Sequence, residues 1–164
     1  MPDTLERSIP ALKDSSLLRQ QCYVDGQWRN ADTAATMPVV DPATGGVIGT
    51  VPVFGAKETH KAIDAAAKAW PAWRAKTAKE RSAILRKWSE LQLAHVDDLA
   101  LILTSEQGKP LAEARGEVAI GAAYVEWFAE EAKRVYGDVI PTVGNDRRLV
   151  VTKEPVGVCA AITP

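Results

Sequence analysis

The sequence predicts a chain of mixed class, α+β, on three observations. Short β-type runs divided by turn signals occupy the first third, and stretches of helical periodicity follow as far as about residue 136. The final apolar run, VCAAI (Val158 to Ile162), is continuous rather than alternating, as in a strand covered on both faces of a parallel sheet. A length of 164 residues suits one domain, and a compact domain of that size buries ~70% of its unfolded surface.

Each element has a local cause. Residues 1–19 read as a loose polar lead-in. In QQCYVDGQWRNA the Asp25-Gly26 pair separates Tyr23-Val24 from Trp28, which predicts a hairpin. Val39-Val40 and Val47 to Val53 flank a Pro-Ala-Thr-Gly-Gly turn. Those glycines lead into another strand and not into a helix N-terminus, so they form a turn and not a phosphate loop. Ala62, Ile63, Ala66, Ala67 and Trp70 form one helical stripe, and Pro71 ends or kinks that helix. Thr77 to Glu80 has capping-box spacing and opens a helix expected to bury Ile84, Leu85, Trp88 and Leu91. A stretch from Val96 buries Leu99, Ile102 and Leu103 and stops at Gly108. The longest helix runs from Pro110 to a stop at Gly137, with Leu111, Val118, Val125, Phe128, Ala132 and Val135 on one face. Gly121 sits in its middle at a cost of roughly 1 kcal/mol, which calls for close helix packing or a groove that admits a ligand. RRLVVTKEPVG (Arg147 to Gly157) alternates as a strand does and is broken by Pro155.

Composition narrows the function classes. The net charge of -1 points to no nucleic-acid or polyanion partner. The basic residues from Arg74 to Lys87 are interrupted by Glu80 and read as a solvated helix face. No apolar run reaches the ~20 residues of a membrane span. The first residues fit neither a secretory signal nor a transit peptide, so a cytoplasmic protein is expected, with Cys22 and Cys159 as thiols. His60 and His95 lack partners at ligand spacing, so no metal site is expected. Cys159 lies in an apolar run where burial works against a thiolate, and a structural role is expected for it. Asp97-Asp98 and Glu130-Glu131 are adjacent on helices and point apart, which is not an acid/base pair. Trp28, Trp70, Trp73, Trp88 and Trp127 read as core. Residues alone therefore give an α+β piece with an unpartnered strand and no catalytic constellation.

Several long stretches, in order, carry a resemblance: EQGKPLAEARGEV (Glu106 to Val118), YVEWFAEEAKRVYGDVIP (Tyr124 to Pro141) and KEPVGVCAAITP (Lys153 to Pro164). Together they resemble the aldehyde dehydrogenase superfamily, and LLRQQCYVDGQW, PAWRAKTAKERSAILRKW and EWFAEEAKR are most similar to its succinate-semialdehyde dehydrogenase branch. The resemblance runs from about Ser16 to the last residue. It implies the N-terminal part of an α/β, aldehyde dehydrogenase-like fold. Residues 20–141 would be hairpins and the helical part of a cofactor-binding domain. Residues 142–157 would be an antiparallel arm that bridges subunits, and 158–164 the first strand of a dinucleotide-binding sheet.

The resemblance also implies function. The family oxidises aldehydes through a Cys thioester with hydride transfer to NAD or NADP, and its nucleophile, base and oxyanion donor follow the point reached here. It implies no catalytic residue within the chain, Ile162, Thr163 and Pro164 at the edge of the cofactor site, and Gly121 and Tyr124 on the substrate tunnel. The expected function is that of part of a succinate-semialdehyde (or related aldehyde) dehydrogenase, inactive by itself, with a small aldehyde substrate and a homo-oligomeric (dimeric or tetrameric) parent. Two rivals stand beside it: a non-enzymatic helical and β-arm module that binds a partner chain, and a small thiol enzyme using Cys159.

Overall fold

The computed structural model describes residues 11–163. Strands β1 (Cys22–Val24) and β2 (Gln27–Arg29) form the first ribbon, with Tyr23 opposite Trp28. Asp25 and Gly26 both have positive φ, 51° and 75°, the geometry that lets a two-residue turn match strand twist. β3 (Thr36–Val40) and β4 (Val47–Pro52) form the second ribbon. Its turn closes on Asp41, whose carbonyl accepts from Gly45 N at 2.8 Å and whose carboxylate accepts from Ala43 N at 2.8 Å. The Pro-Ala-Thr-Gly-Gly segment is thus a turn, as its composition predicts.

Four helices follow: α1 (Ala56–Ala75), α2 (Ala78–Ala94), α3 (Val96–Gln107) and α4 (Leu111–Glu131). Pro71 neither ends α1 nor stops it short; its ring removes one intrahelical donor and the helix continues to Ala75. The capping box at α2 is complete: Thr77 Oγ1 accepts from Glu80 N (3.3 Å) and Glu80 Oε2 accepts from Thr77 N (2.7 Å). Gly108 ends α3 in the left-handed region, φ 79°. α4 stops at Glu131, six residues short of the expected Gly137. Gly137 is required for a different reason. A side chain there would collide with the Val151 carbonyl oxygen, because β5 (Asp138–Ile140) pairs with β6 (Leu149–Val151). The antiparallel ribbon of β5 and β6 thus takes in residues from Asp138 on.

The core is the seam where α2 and α3 pack on α4. Its buried residues are small: Ala100, Ala114, Ala122 and Ala129 at 0% exposure, with Ser82 and Ser89. Ser89 Oγ donates to the Ala122 carbonyl at 2.8 Å, a bond that requires the two backbones to approach closely. This corrects the expected core. Ile84, Trp88 and Leu91 are 47%, 54% and 45% exposed, because the Ser82/Ser89 side of α2 takes the seam and the bulky side faces away. Leu85, Leu99, Ile102 and Leu103 are only half-buried, and among the tryptophans Trp28, Trp88 and Trp127 are exposed.

Two further expectations change. The described part of the lead-in is not loose: Asp98, buried on α3, accepts from Lys13 N and Asp14 N, each at 2.9 Å, and docks it there. Residues 158–163, read from sequence as an unpartnered strand, form no ladder, since none of the described residues supplies a partner backbone. The accessible surface of 12402 Å² leaves about half of the unfolded area buried, not ~70%.

Candidate functional site

α4 carries apolar residues on two opposite sides. Ala122 and Ala129 enter the seam, while Ile120, Tyr124 and Trp127 stand half a turn away, at spacings of four and three. With Ala123 and Phe128 they line an open groove of about 330 Å³. No charged side chain lines it. Its polar side-chain groups are the Tyr124 hydroxyl and the Trp127 indole N–H, so the groove suits the alkyl body of a small molecule. Tyr124 stands on this groove, 64% exposed.

Gly121 follows Ile120 in α4 but is not among the residues that line this groove. A Cβ built there meets nothing within 4 Å, so close helix packing does not explain the residue. Ile162 and Thr163 lie in the segment after β6, exposed and without hydrogen bonds among the described residues; nothing joins them to the α4 groove. Pro164 lies outside the described residues. Cys159 is exposed, its Sγ 3.7 Å from the Gly157 carbonyl, which corrects the expected burial: the run that holds it has no covering sheet here.

Two other clefts are structural. One of about 360 Å³ is lined by Arg29, Asp32, Glu58 and Lys61 among others, and the carboxylates of Glu58 and Asp32 are committed. Glu58 accepts from Asp32 N (2.8 Å) and Gly55 N (2.7 Å), and those two N–H groups hold its carboxyl below the usual range. Asp32 is lowered likewise by Lys61, at 2.8 Å. The other cleft, about 540 Å³, lies between Trp70, Trp73, Arg81 and the segment 153–155. There Arg74 pairs with Glu154 at 2.7 Å, tying the segment after β6 to α1, and Arg81 donates to the Lys76 carbonyl at the α1–α2 junction. Sequence reasoning missed this cleft; its signal was the Trp70, Trp73, Arg74 spacing, which puts two indoles and a guanidinium on one side of a helix. Among the described residues no group of three or more His, Cys, Asp or Glu side chains is placed to hold a metal ion, and no helix is long and apolar enough to cross a membrane.

Comparison with known proteins places this geometry. The profile of the Aldehyde dehydrogenase family matches residues 28–164. A glutarate-semialdehyde dehydrogenase of Pseudomonas putida is 62% identical over 153 residues, which is 93% of this chain and 32% of that protein. An NADP(+) succinate-semialdehyde dehydrogenase of Escherichia coli is 56% identical over the same shares. The crystal structure of a succinate-semialdehyde dehydrogenase from Burkholderia pseudomallei superposes with a TM-score of 0.88 at 61% identity, covering 92% of this chain and 31% of that one. The chain thus spans about a third of the length of the curated relatives it matches.

Proposed function

We propose, from the premise that this chain belongs to the Aldehyde dehydrogenase family, that the whole protein is an NAD(P)-dependent dehydrogenase of a short semialdehyde ending in a carboxylate, succinate or glutarate semialdehyde. The observation that carries this reading is identity of 62% and 56% to enzymes of those two names across 93% of the chain. The reaction takes an aldehyde and water to a carboxylate, releasing a hydride and two protons. NAD or NADP, when bound, accepts the hydride.

In this reading the chain contributes surfaces and no reacting group. The α4 groove that Tyr124 lines, with the bare backbone of Gly121 beside Ile120, takes the alkyl part of the aldehyde and keeps water from it. The groove lacks a cation, so the substrate carboxylate is held by residues other than those lining it. Ile162, Thr163 and Pro164 form the rim of the cofactor site. The exposure of Ile162 and Thr163 and their uncommitted backbone groups suit that role. The ribbon of β5 and β6 bridges subunits of a homo-oligomer, and the protein works in the cytoplasm.

The test is the appearance of NADH or NADPH absorbance when the protein, expressed from its full coding sequence, meets either semialdehyde. Reduced cofactor with one or both supports the reading; none with either sinks it, as does steady turnover by the 164-residue chain alone. A second reading, that the chain is an interaction module, is favoured by the large apolar side chains left uncovered on α2 and α4.

A further inference from the structure

The Asp25-Gly26 turn between β1 and β2 meets the conditions for one reaction of the backbone itself. Glycine has no Cβ, so its nitrogen can approach a neighbouring carbonyl carbon unhindered. Asp25 is the only aspartate in the sequence that glycine follows, and glycine follows neither asparagine. Both turn residues are exposed, and a Cβ built on Gly26 would meet nothing within 4 Å. The ladder ends at Val24 and Gln27, and Gly26 N donates to none of the described residues.

The Asp25 carboxylate is not held in place by any of the described residues. The cations around this hairpin are engaged elsewhere. Arg19 lies 5.2 Å over the Trp28 ring, Arg29 Nη2 donates to Gln27 Oε1 at 2.9 Å, and Lys61 pairs with Asp32 at 2.8 Å. Other aspartates are restrained: Asp14, Asp32, Asp97, Asp98 and Asp146 each accept a hydrogen bond. Asp41 precedes a proline, which has no N–H. Asp64 and Asp138 stand in the regular backbone of α1 and β5, followed by alanine and valine.

We propose that Asp25 is a site of spontaneous backbone modification, its conversion to an isoaspartyl residue. The Gly26 nitrogen attacks the side-chain carbonyl carbon of Asp25. A C–N bond forms, and the carboxyl oxygen leaves with the amide proton and the carboxyl proton as water. Water then adds to one of the two carbonyls of the resulting five-membered imide. Opening at the side-chain carbonyl restores aspartate; opening at the main-chain carbonyl routes the chain through Cβ and frees the α-carboxylate. No electrons are transferred, and the mass ends unchanged. The product turn holds one more backbone carbon. A two-residue loop sets hairpin register, so the extra carbon misaligns Val24 with Gln27 and loosens the edge contact of Tyr23 with Trp28, now 5.2 Å between ring centroids. The cleft that Val24, Asp25 and Arg29 help to line changes shape with it.

The experiment ages the protein, expressed from its full coding sequence, in warm neutral buffer until a synthetic peptide QQCYVDGQWR in the same buffer has isomerised. Trypsin, cutting after Arg19 and Arg29, then releases that same peptide from the protein, with Asp25 its only acid. The expected result is an isomer of equal mass, separable by chromatography and methylated by an isoaspartyl methyltransferase. It accumulates several-fold faster than any isomer of the peptides bearing Asp64 or Asp138. Asp25→Glu abolishes it, because the longer side chain would have to close a less favoured six-membered ring. Gly26→Ala slows it several-fold, because a methyl group shields the nitrogen. In the isomerised fraction the amides of β1 and β2 exchange faster than in fresh protein. The proposal is overturned if the peptide from the aged protein stays a single species, if Asp64 or Asp138 isomerises as fast, or if Asp25→Glu yields as much isomer.

Discussion

Replacing Asp98 by Ala tests how the amino-terminal segment is held. Asp98 is 3% exposed and accepts two backbone N–H groups, Lys13 N and Asp14 N, each at 2.9 Å. Hydrogen bonds to a charged acceptor contribute roughly 1.5–3 kcal/mol each, and undocking lets water satisfy the freed donors, so a net loss of about 2–4 kcal/mol in docking is expected. The other link, Lys13 Nζ to Asp97 Oδ2 at 2.9 Å, is exposed and contributes less than about 1 kcal/mol. Hydrogen exchange of a peptide spanning Lys13 to Leu17 should therefore accelerate ~30- to 900-fold in Asp98→Ala and no more than about fivefold in Lys13→Ala. Equal protection in Asp98→Ala and the parent chain, or a larger effect from Lys13→Ala, would refute the reasoning.

Other outcomes follow from the same geometry. Gly121→Ala, at a helical site where an added Cβ meets nothing, should stabilise the isolated chain by up to about 1 kcal/mol, seen as a higher melting temperature. Ala122→Leu forces a larger side chain into the closed seam and should cost about 1–3 kcal/mol in urea denaturation while leaving helical content intact. Gly137→Ala drives a methyl into the Val151 carbonyl, and amide protection of Val139 and Val150 should fall selectively. Asp32, Glu58 and Glu80 all have carboxyls held below their ordinary values, so as pH falls the unfolded chain takes up protons first. Their stabilisation is complete above the ordinary carboxylate range of about 4–4.5 and is lost as pH drops through the lowered values. The urea midpoint should fall in acid, and Glu58→Gln should shrink that fall.

Turns and helix ends were legible because their causes are local. Asp25-Gly26, Thr77 with Glu80, and Gly108 each act within four residues, and each did what its chemistry predicts. The buried sides of the helices were not legible. Periodicity marks Ile84, Trp88 and Leu91 as core on size alone, whereas the seam selects Ser82, Ser89, Ala122 and Ala129 because only small residues let backbones approach closely enough for Ser89 to reach the Ala122 carbonyl. The end of α4 was misread because Gly137 looks like a helix stop from sequence. Its actual demand, room for Val151, comes from a pairing partner fourteen residues away. Of the expected site residues, Tyr124 was named through family resemblance; the groove it lines was not legible, since an open wall of Ile120, Trp127 and Phe128 has the same pattern as a covered one.

The Ser89 to Ala122 bond has a mechanical consequence. It works as a detent: sliding α4 by one turn against α2 would break a buried hydrogen bond and push Ala129 or Ala114 out of a notch sized for a methyl group. The outward side of α4 that bears Tyr124 and Trp127 is therefore indexed to α2. Within such a scaffold, any change in the shape of that side falls to exchange of the side chains that stand on it, one residue at a time, while the axis beneath them stays where it is.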